Sequence, residues 1–235
     1  MAAISPSRRS LVPCVDTGRV SLFFEDAGSG TPPVLLLHEL GGCSESWRAV
    51  IALMAPDRRV IAVDTRCAGR SEKPLAGALL ALRHPARVRR LMMCAVAPDM
   101  AGPTRTYLAE RAEKVRVAGM RGVAEASLAN SFPTSHPEER AAYRGIYLGN
   151  DPAAYAELSL ALGRPEMTAA DWGAIRVPVL VASGAHDFIW APPIGRDVAA
   201  LIPGARFGVI EDAGHFPHLQ APERLAELAR RFFGN

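Results

Sequence analysis

Short apolar runs recur along this chain, each stopped by turn residues, and helix-like stretches fill the intervals between them. Residues 34–38 (VLLLH) lie between Pro32-Pro33 and Gly41-Gly42. Residues 59–64 (RVIAVD), 88–96, 177–183 (VPVLVAS) and 206–210 follow the same pattern, and a β-rich run at 19–25 (RVSLFFE) precedes them. A continuous apolar run of this length reads as a strand buried on both faces. Helices are expected at 47–54, at 74–83 with Pro74 in the first turn and His84-Pro85 as the stop, and at 222–233, where Leu225, Leu228, Phe232 and Phe233 fall near helical spacing. Strands alternating with helices specify an α/β fold, a mostly parallel sheet with helices on both faces. Between 99 and 171 the alternation stops, and several helices rich in Ala and Glu are broken by Gly and Pro. The expected organisation is therefore a core of residues 1–98 and 172–235 with a helical cap inserted at 99–171.

Composition narrows the function classes. With 235 residues, 49% of them hydrophobic and 22% charged, the chain can bury a sizeable core. The net charge of +3 comes from interspersed residues, with no basic run interleaved with aromatics, which speaks against a nucleic-acid partner. Cys14, Cys43, Cys67 and Cys94 lack metal-type spacing and suit a reducing compartment. No run approaches the roughly 18 apolar residues of a membrane span, and the first eleven residues carry no apolar signal core. A soluble, cytoplasmic protein is expected, with no membrane partner. The six histidines form no H-E-x-x-H group and no phosphate-binding glycine loop is present, so neither a metal nor a cofactor is expected.

Five stretches carry a more specific pattern. The 34–38 strand runs into His38-Glu39-Leu40-Gly41-Gly42, and the 59–64 strand into Asp64-Thr65-Arg66-Cys67-Ala68-Gly69-Arg70-Ser71. Further on stand Arg83-His84-Pro85-Ala86-Arg87-Val88, then residues 181–187 (VASGAHD), then Ala213-Gly214-His215-Phe216-Pro217. In this order they resemble an α/β-hydrolase over nearly the whole chain. The HELGG opening, the 44–47 stretch and the style of the cap are most similar to 3-oxoadipate enol-lactonase-like members. The resemblance implies that His38, Glu39, Leu40, Gly41 and Gly42 form an oxyanion loop, whose backbone N–H groups face developing negative charge. It also implies that Asp187 orients His215 and that His215 is the general base. Trp47, Phe188 and Trp190, with Phe132 and Trp172, become candidates for an apolar substrate pocket, and a small ester or lactone the expected substrate. Cys67 departs from the pattern, standing where glycine is usual.

One part of the pattern is missing. The family places a strand, G-x-S-x-G and a helix between the Asp64 loop and the His84-Pro85 stretch, and no G-x-S-x-G occurs in this sequence. Residues 75–84 alone separate Pro74 from Pro85, too few for helix, strand and elbow. A deletion of about 35–40 residues, one α–β repeat, accounts for the difference. The crossover keeps its right hand if helix 74–83 fills the vacated place and strand 88–96 moves beside 34–38. The expected sheet is then one central strand short. Ser71 is the candidate substitute nucleophile: it lies 13 residues before His84, follows Gly69 and precedes Pro74. An N-cap or loop serine is the plainer reading. Cys67, Cys43 and Ser44 are weaker candidates, and His84, His136, His186 and His218 read as turn or surface residues. The functional expectation is an ester or enol-lactone hydrolase, impaired or inactive for want of its elbow. The alternative is a non-catalytic relative that binds a small molecule, such as a small carboxylate, or a protein partner.

Overall fold

The computed structural model describes residues 14–16, 21–64, 76–98, 102–132, 136–164 and 167–234. Ser71, Cys67 and Pro74 lie outside these. Among the described residues seven strands form in chain order: β1 (Cys14–Asp16), β2 (Ser21–Ala27), β3 (Val34–Leu37), β4 (Val60–Val63), β5 (Leu91–Cys94), β6 (Val179–Gly184) and β7 (Arg206–Ile210). Each of the main runs read from the sequence is a strand, with ends that shift by a few residues at most. The core helices are α1 (Arg48–Met54), behind a 3-10 turn at Ser44–Trp47, and α2 (Ala76–Arg83). Between β5 and β6 come α3 (Gly102–Ala118), α4 (Arg121–Ser131), α5 (Pro137–Leu148), α6 (Pro152–Leu162) and α7 (Ala169–Ala174). The chain closes with α8 (Pro192–Leu201), α9 (Pro217–Gln220) and α10 (Pro222–Phe233). No described helix is long and apolar enough to cross a membrane.

Local chemistry starts these helices. Pro137, Pro152, Pro192, Pro217 and Pro222 occupy first-turn positions, where the missing N–H costs nothing. Asp151 caps α6 by accepting from Ala154 N at 2.8 Å, and Thr168 and Asp171 form a reciprocal capping box on α7.

The strands form two ladders. One runs β1-β2-β4-β3, with β3 and β4 parallel (Val34 opposite Val60) and β2 antiparallel to β4. The other runs β5-β6-β7, all parallel, with Leu91 opposite Val179 and Leu180 opposite Arg206. The expectation that strand 88–96 would move up beside 34–38 is corrected here: among the described residues no ladder joins β3 to β5. Packing explains this. Helix α2 does not lie in a crossover over β3. It sets Ala78 and Ala81 into the cluster of Leu91, Met93, Val179, Val181 and Trp172, which keeps it with the β5–β6 half. Gly77 permits this approach, since a Cβ there would already touch Leu91 Cδ1 at 3.0 Å.

The two ladders are held by a shared apolar layer instead. Val34, Leu36, Val60 and Ala62 pack with Ala182 and Ile210 beneath α1 and α10, and Met92 and Cys94 lean on the same cluster. On its other face β3 departs from the reading of a strand buried on both sides: Leu35 is 47% exposed. β6, paired on both edges, is buried throughout.

Helices α3 to α6 pack on one another around Val115, Val123, Leu128, Phe132, Tyr143, Tyr147 and Tyr155. Phe216, next to His215, joins this cluster and ties the helices to the core. Helix α7 packs on α8 and α2, with Trp172 wholly buried and its indole N–H donating to Pro98 O at 3.3 Å.

Candidate active site

Asp187 and His215, 28 residues apart, are brought together at the end of β6. After Gly184 the chain turns so that Ala185 N donates to Ile210 O and His186 N to Ala213 O, both at 2.9 Å. The loops come this close because Gly184 has no side chain; a Cβ there would overlap the carbonyl oxygens of Gly214 and Ala213. The Asp187 carboxylate is fully shielded from solvent. Its Oδ1 accepts from the backbone N–H groups of Ile189 and Trp190 at 2.9 Å each, and its Oδ2 stands 3.0 Å from His215 Nδ1. A carboxylate in that position favours the tautomer with the proton on Nδ1 and leaves Nε2 as the basic nitrogen.

The His215 loop is braced by a residue that sequence reading missed. Gln220, buried on α9, accepts through Oε1 from Gly214 N at 2.9 Å and Phe216 N at 3.1 Å. Its Nε2 donates to Ser131 O at 3.1 Å, which ties the loop to α4. No short motif marks such a glutamine, because its partners lie on both sides of His215 and in a distant helix.

His215 faces a cavity of about 580 Å³ whose wall includes His38, Glu39 and Leu40 of the predicted oxyanion loop. Gly41 sits at φ +89°, in the left-handed region that glycine tolerates, and its bare Cα leaves room for the Tyr147 ring. Asn150 Nδ2 donates to Gly41 O at 2.9 Å and to Tyr147 O at 3.0 Å, so α5 and its C-terminal turn hold the loop in place. Trp47 and Trp190 line the cavity as expected. Phe188 does not; it is 63% exposed. Phe132 and Trp172 also stay out of the wall, the first in the α3–α6 cluster and the second in the core. Both ladder edges facing the break, β3 and β5, contribute wall residues, so the cavity runs between them. Ala95, just past β5, lines it with φ +50°, an uncommon conformation for a side-chain-bearing residue.

Glu39 has a role that its place in a loop concealed. Its side chain turns inward, where Oε1 accepts from Ser46 Oγ at 3.1 Å and Oε2 stands 3.0 Å from His218 Nε2. Gly42 leaves space for the carboxylate, which a Cβ would strike. His218, read from the sequence as a turn or surface residue, is buried and stacked on Trp47 at 4.5 Å between ring centroids. Burial alone would raise the Glu39 pKa, but the charge and contact of His218, aided by His38, hold it down at about 2. Tyr143, nearby, is pushed well above the usual tyrosine value by burial and then by the Glu39 charge.

Cys43 and Cys94 are poor nucleophiles. Burial raises Cys43 to about 11 and Cys94 to about 12, which leaves almost no thiolate at neutral pH. Ser44 is buried with its N–H donating to Asp64 Oδ1 at 2.6 Å, and it does not line the cavity. Thr104, Ser127 and Ser131 carry the wall hydroxyls of aliphatic side chains among the described residues. Ser127 accepts from Tyr147 and Ser131 donates to Ser127 O, and neither bonds His215. Among the described residues, Asp187 is the one hydrogen-bond partner of the His215 side chain.

Comparison with known proteins gives the family and its fold. The family model described as "Alpha/beta hydrolase family" matches residues 76–228. A protein described as a non-heme bromoperoxidase, BpoC of Mycobacterium tuberculosis, is 26% identical over 262 residues, covering 92% of this chain and 98% of that protein. The solved enol-lactonase from Burkholderia xenovorans LB400 is 25% identical with a TM-score of 0.86, covering 94% of this chain and 99% of that one. A thermophilic esterase from Thermogutta terrifontis, solved with malate bound, is 25% identical with a TM-score of 0.84, covering 94% of this chain and 96% of that one.

Proposed function

We propose that this chain, which belongs to the α/β-hydrolase family, receives small carboxylic esters or enol-lactones in the cavity beside His215 and hydrolyses them weakly or not at all. In this reading residues 99–171 act as the cap over that cavity. The observation that carries it is the His215–Asp187 pair, set with the geometry of a working acid–base couple while no hydroxyl among the described residues bonds the imidazole. The likeness to an enol-lactonase and an esterase supports the substrate class. The alignment with BpoC is longer than this whole chain, 262 against 235 residues, so that relative contributes residues with no counterpart here. That supports the reading of a lost segment.

The reaction that these residues can run uses water as the nucleophile. His215 Nε2 takes a proton from water as the oxygen adds to the acyl carbon, and Asp187 stabilises the imidazolium. Backbone N–H groups of the 38–42 loop face the tetrahedral oxyanion. On collapse the C–O bond breaks and the departing oxygen takes the proton back, giving a carboxylic acid and an alcohol or enol. No acyl-enzyme forms. Triads that lose a member retain about 10³–10⁴-fold catalysis over water, which sets the scale of activity expected here.

Fluorophosphonate labelling of the folded chain, with peptide mapping, tests this together with p-nitrophenyl acetate hydrolysis. The expected result is no stoichiometric serine adduct and slow hydrolysis that disappears in His215→Ala. A stoichiometric adduct on Ser71, abolished by His215→Ala, would overturn the water route and make Ser71 the nucleophile. Undetectable hydrolysis with ligand binding retained would leave the cavity as a binding site.

A further inference from the structure

The cavity wall holds a cation that the chemistry above does not use. Arg111 on α3 lines the cavity, and its Nη2 donates to Tyr147 OH at 3.1 Å. That tyrosine is itself bonded to Ser127 Oγ at 3.0 Å and Tyr155 OH at 2.7 Å, so the donor group is fixed in direction. The guanidinium carbon lies 5.1 Å from the Tyr155 ring centroid and 5.9 Å from that of Tyr107. Arg111 Nε is buried without a hydrogen-bond partner, and Nη1 bonds nothing among the described residues.

No carboxylate among the described residues forms an ion pair with Arg111. Glu39, the acid in the wall, is committed to His218; elsewhere Asp187 is committed to His215, and Glu113 and Glu157 to Arg116 at the surface. A guanidinium keeps its charge at any physiological pH, and a half-buried one without a counter-ion is costly. Ring contacts offset part of that cost and hold the group flat. What remains for a ligand is the outer edge of the guanidinium, Nη1 with the second N–H of Nη2, a planar pair of donors suited to the two oxygens of a carboxylate. The same cavity wall carries the apolar side chains of Leu108, Leu128 and Met92.

We infer that Arg111 anchors a carboxylate on the ligand, so that this cavity selects small molecules with an apolar body and one anionic end. The inference rests on the reading of the cavity as the substrate site and names its substrate class: an ester or lactone carrying a free carboxylate remote from the reacting acyl carbon. The ligand then spans from the α3–α6 helices, where Arg111 holds its charge, to His215 on the core side.

Calorimetric titration with hexanoate and with its uncharged isostere hexanamide tests this without relying on turnover. The expected result is at least tenfold tighter binding of hexanoate. Arg111→Gln should abolish the difference while leaving hexanamide affinity unchanged. Arg111→Lys, which keeps the charge and loses the fork, should retain part of it, and His215→Ala should retain all of it. Equal binding of the two ligands to the parent chain, or a preference that survives in a folded Arg111→Gln, would overturn the anchor and leave the cavity reading intact. A preference lost in His215→Ala would place the anion at His215 and also overturn it. Binding of neither ligand at millimolar concentration would sink the cavity reading and the anchor together.

Discussion

Gly184 and Gln220 show how much of the site depends on residues without catalytic chemistry. Gly184 lets the His215 loop lie directly on the end of β6, and Gln220 holds that loop by two backbone N–H groups. Because the atoms that a Cβ would strike at Gly184 are backbone carbonyls, a side chain there cannot be accommodated by a rotamer change. Gly184→Ala is expected to destabilise the fold by about 1–3 kcal/mol and to separate Asp187 from His215. In a domain of this size each kcal/mol lowers Tm by about 2–4 °C. Gly145→Ala is the control: a methyl group at this helical position in α5 would meet nothing within 4 Å, so the replacement should be neutral or stabilising. A thermal melt in which both variants behave alike would show that the close approach at Gly184 is not under steric pressure. Asp187, His215 and the glycines of the 38–42 loop were legible in the sequence because each belongs to a local motif. Gln220, Asn150 and the Glu39–His218 contact were not, since their partners are remote in the chain.

At the scale of elements, β3 is the informative strand. Four apolar residues in a row gave no hint that its two faces differ, because periodicity cannot show which neighbours a strand acquires. In the structure Val34 and Leu36 enter the core beneath α1 and α10, while Leu35 is half exposed. Leu36→Ala should therefore cost about 2–5 kcal/mol, the usual cost of a large-to-small change in a packed core. Leu35→Ala should cost far less, within about 1 kcal/mol. Urea denaturation of the two variants measures the contrast, and similar midpoints would mean that both faces of β3 are covered in solution. The same logic applies to the break between β3 and β5. A strand run can be read from local sequence, but its partner is set by where α2 packs, and α2 stays with β5 and β6.

For the molecule as a whole, the buried Glu39–His218 contact links stability to pH. The Glu39 pKa is about 2 in the folded chain against an ordinary value of 4.5. A depressed carboxylate contributes stability that is complete above its unfolded value and is lost as pH falls through the folded one. The contribution should therefore hold above pH 4.5 and fade between there and about pH 2. Glu39→Gln should lower Tm at pH 7, since breaking a buried pair costs about 3–5 kcal/mol, and should flatten the acid side of the profile. Melting curves of the parent and variant that run parallel from about pH 7 down to about pH 2.5 would show that Glu39 is not the responsible group. Alternating apolar runs, turn residues and five short motifs sufficed to specify an α/β fold with an acid–histidine pair, because strand burial and loop chemistry are local properties. The break between the ladders, the cavity along it, the burial of His218 and the place of Arg111 in its wall were decided by tertiary structure alone. Each depends on which surfaces meet after the chain has packed, and residue spacing carries no record of that.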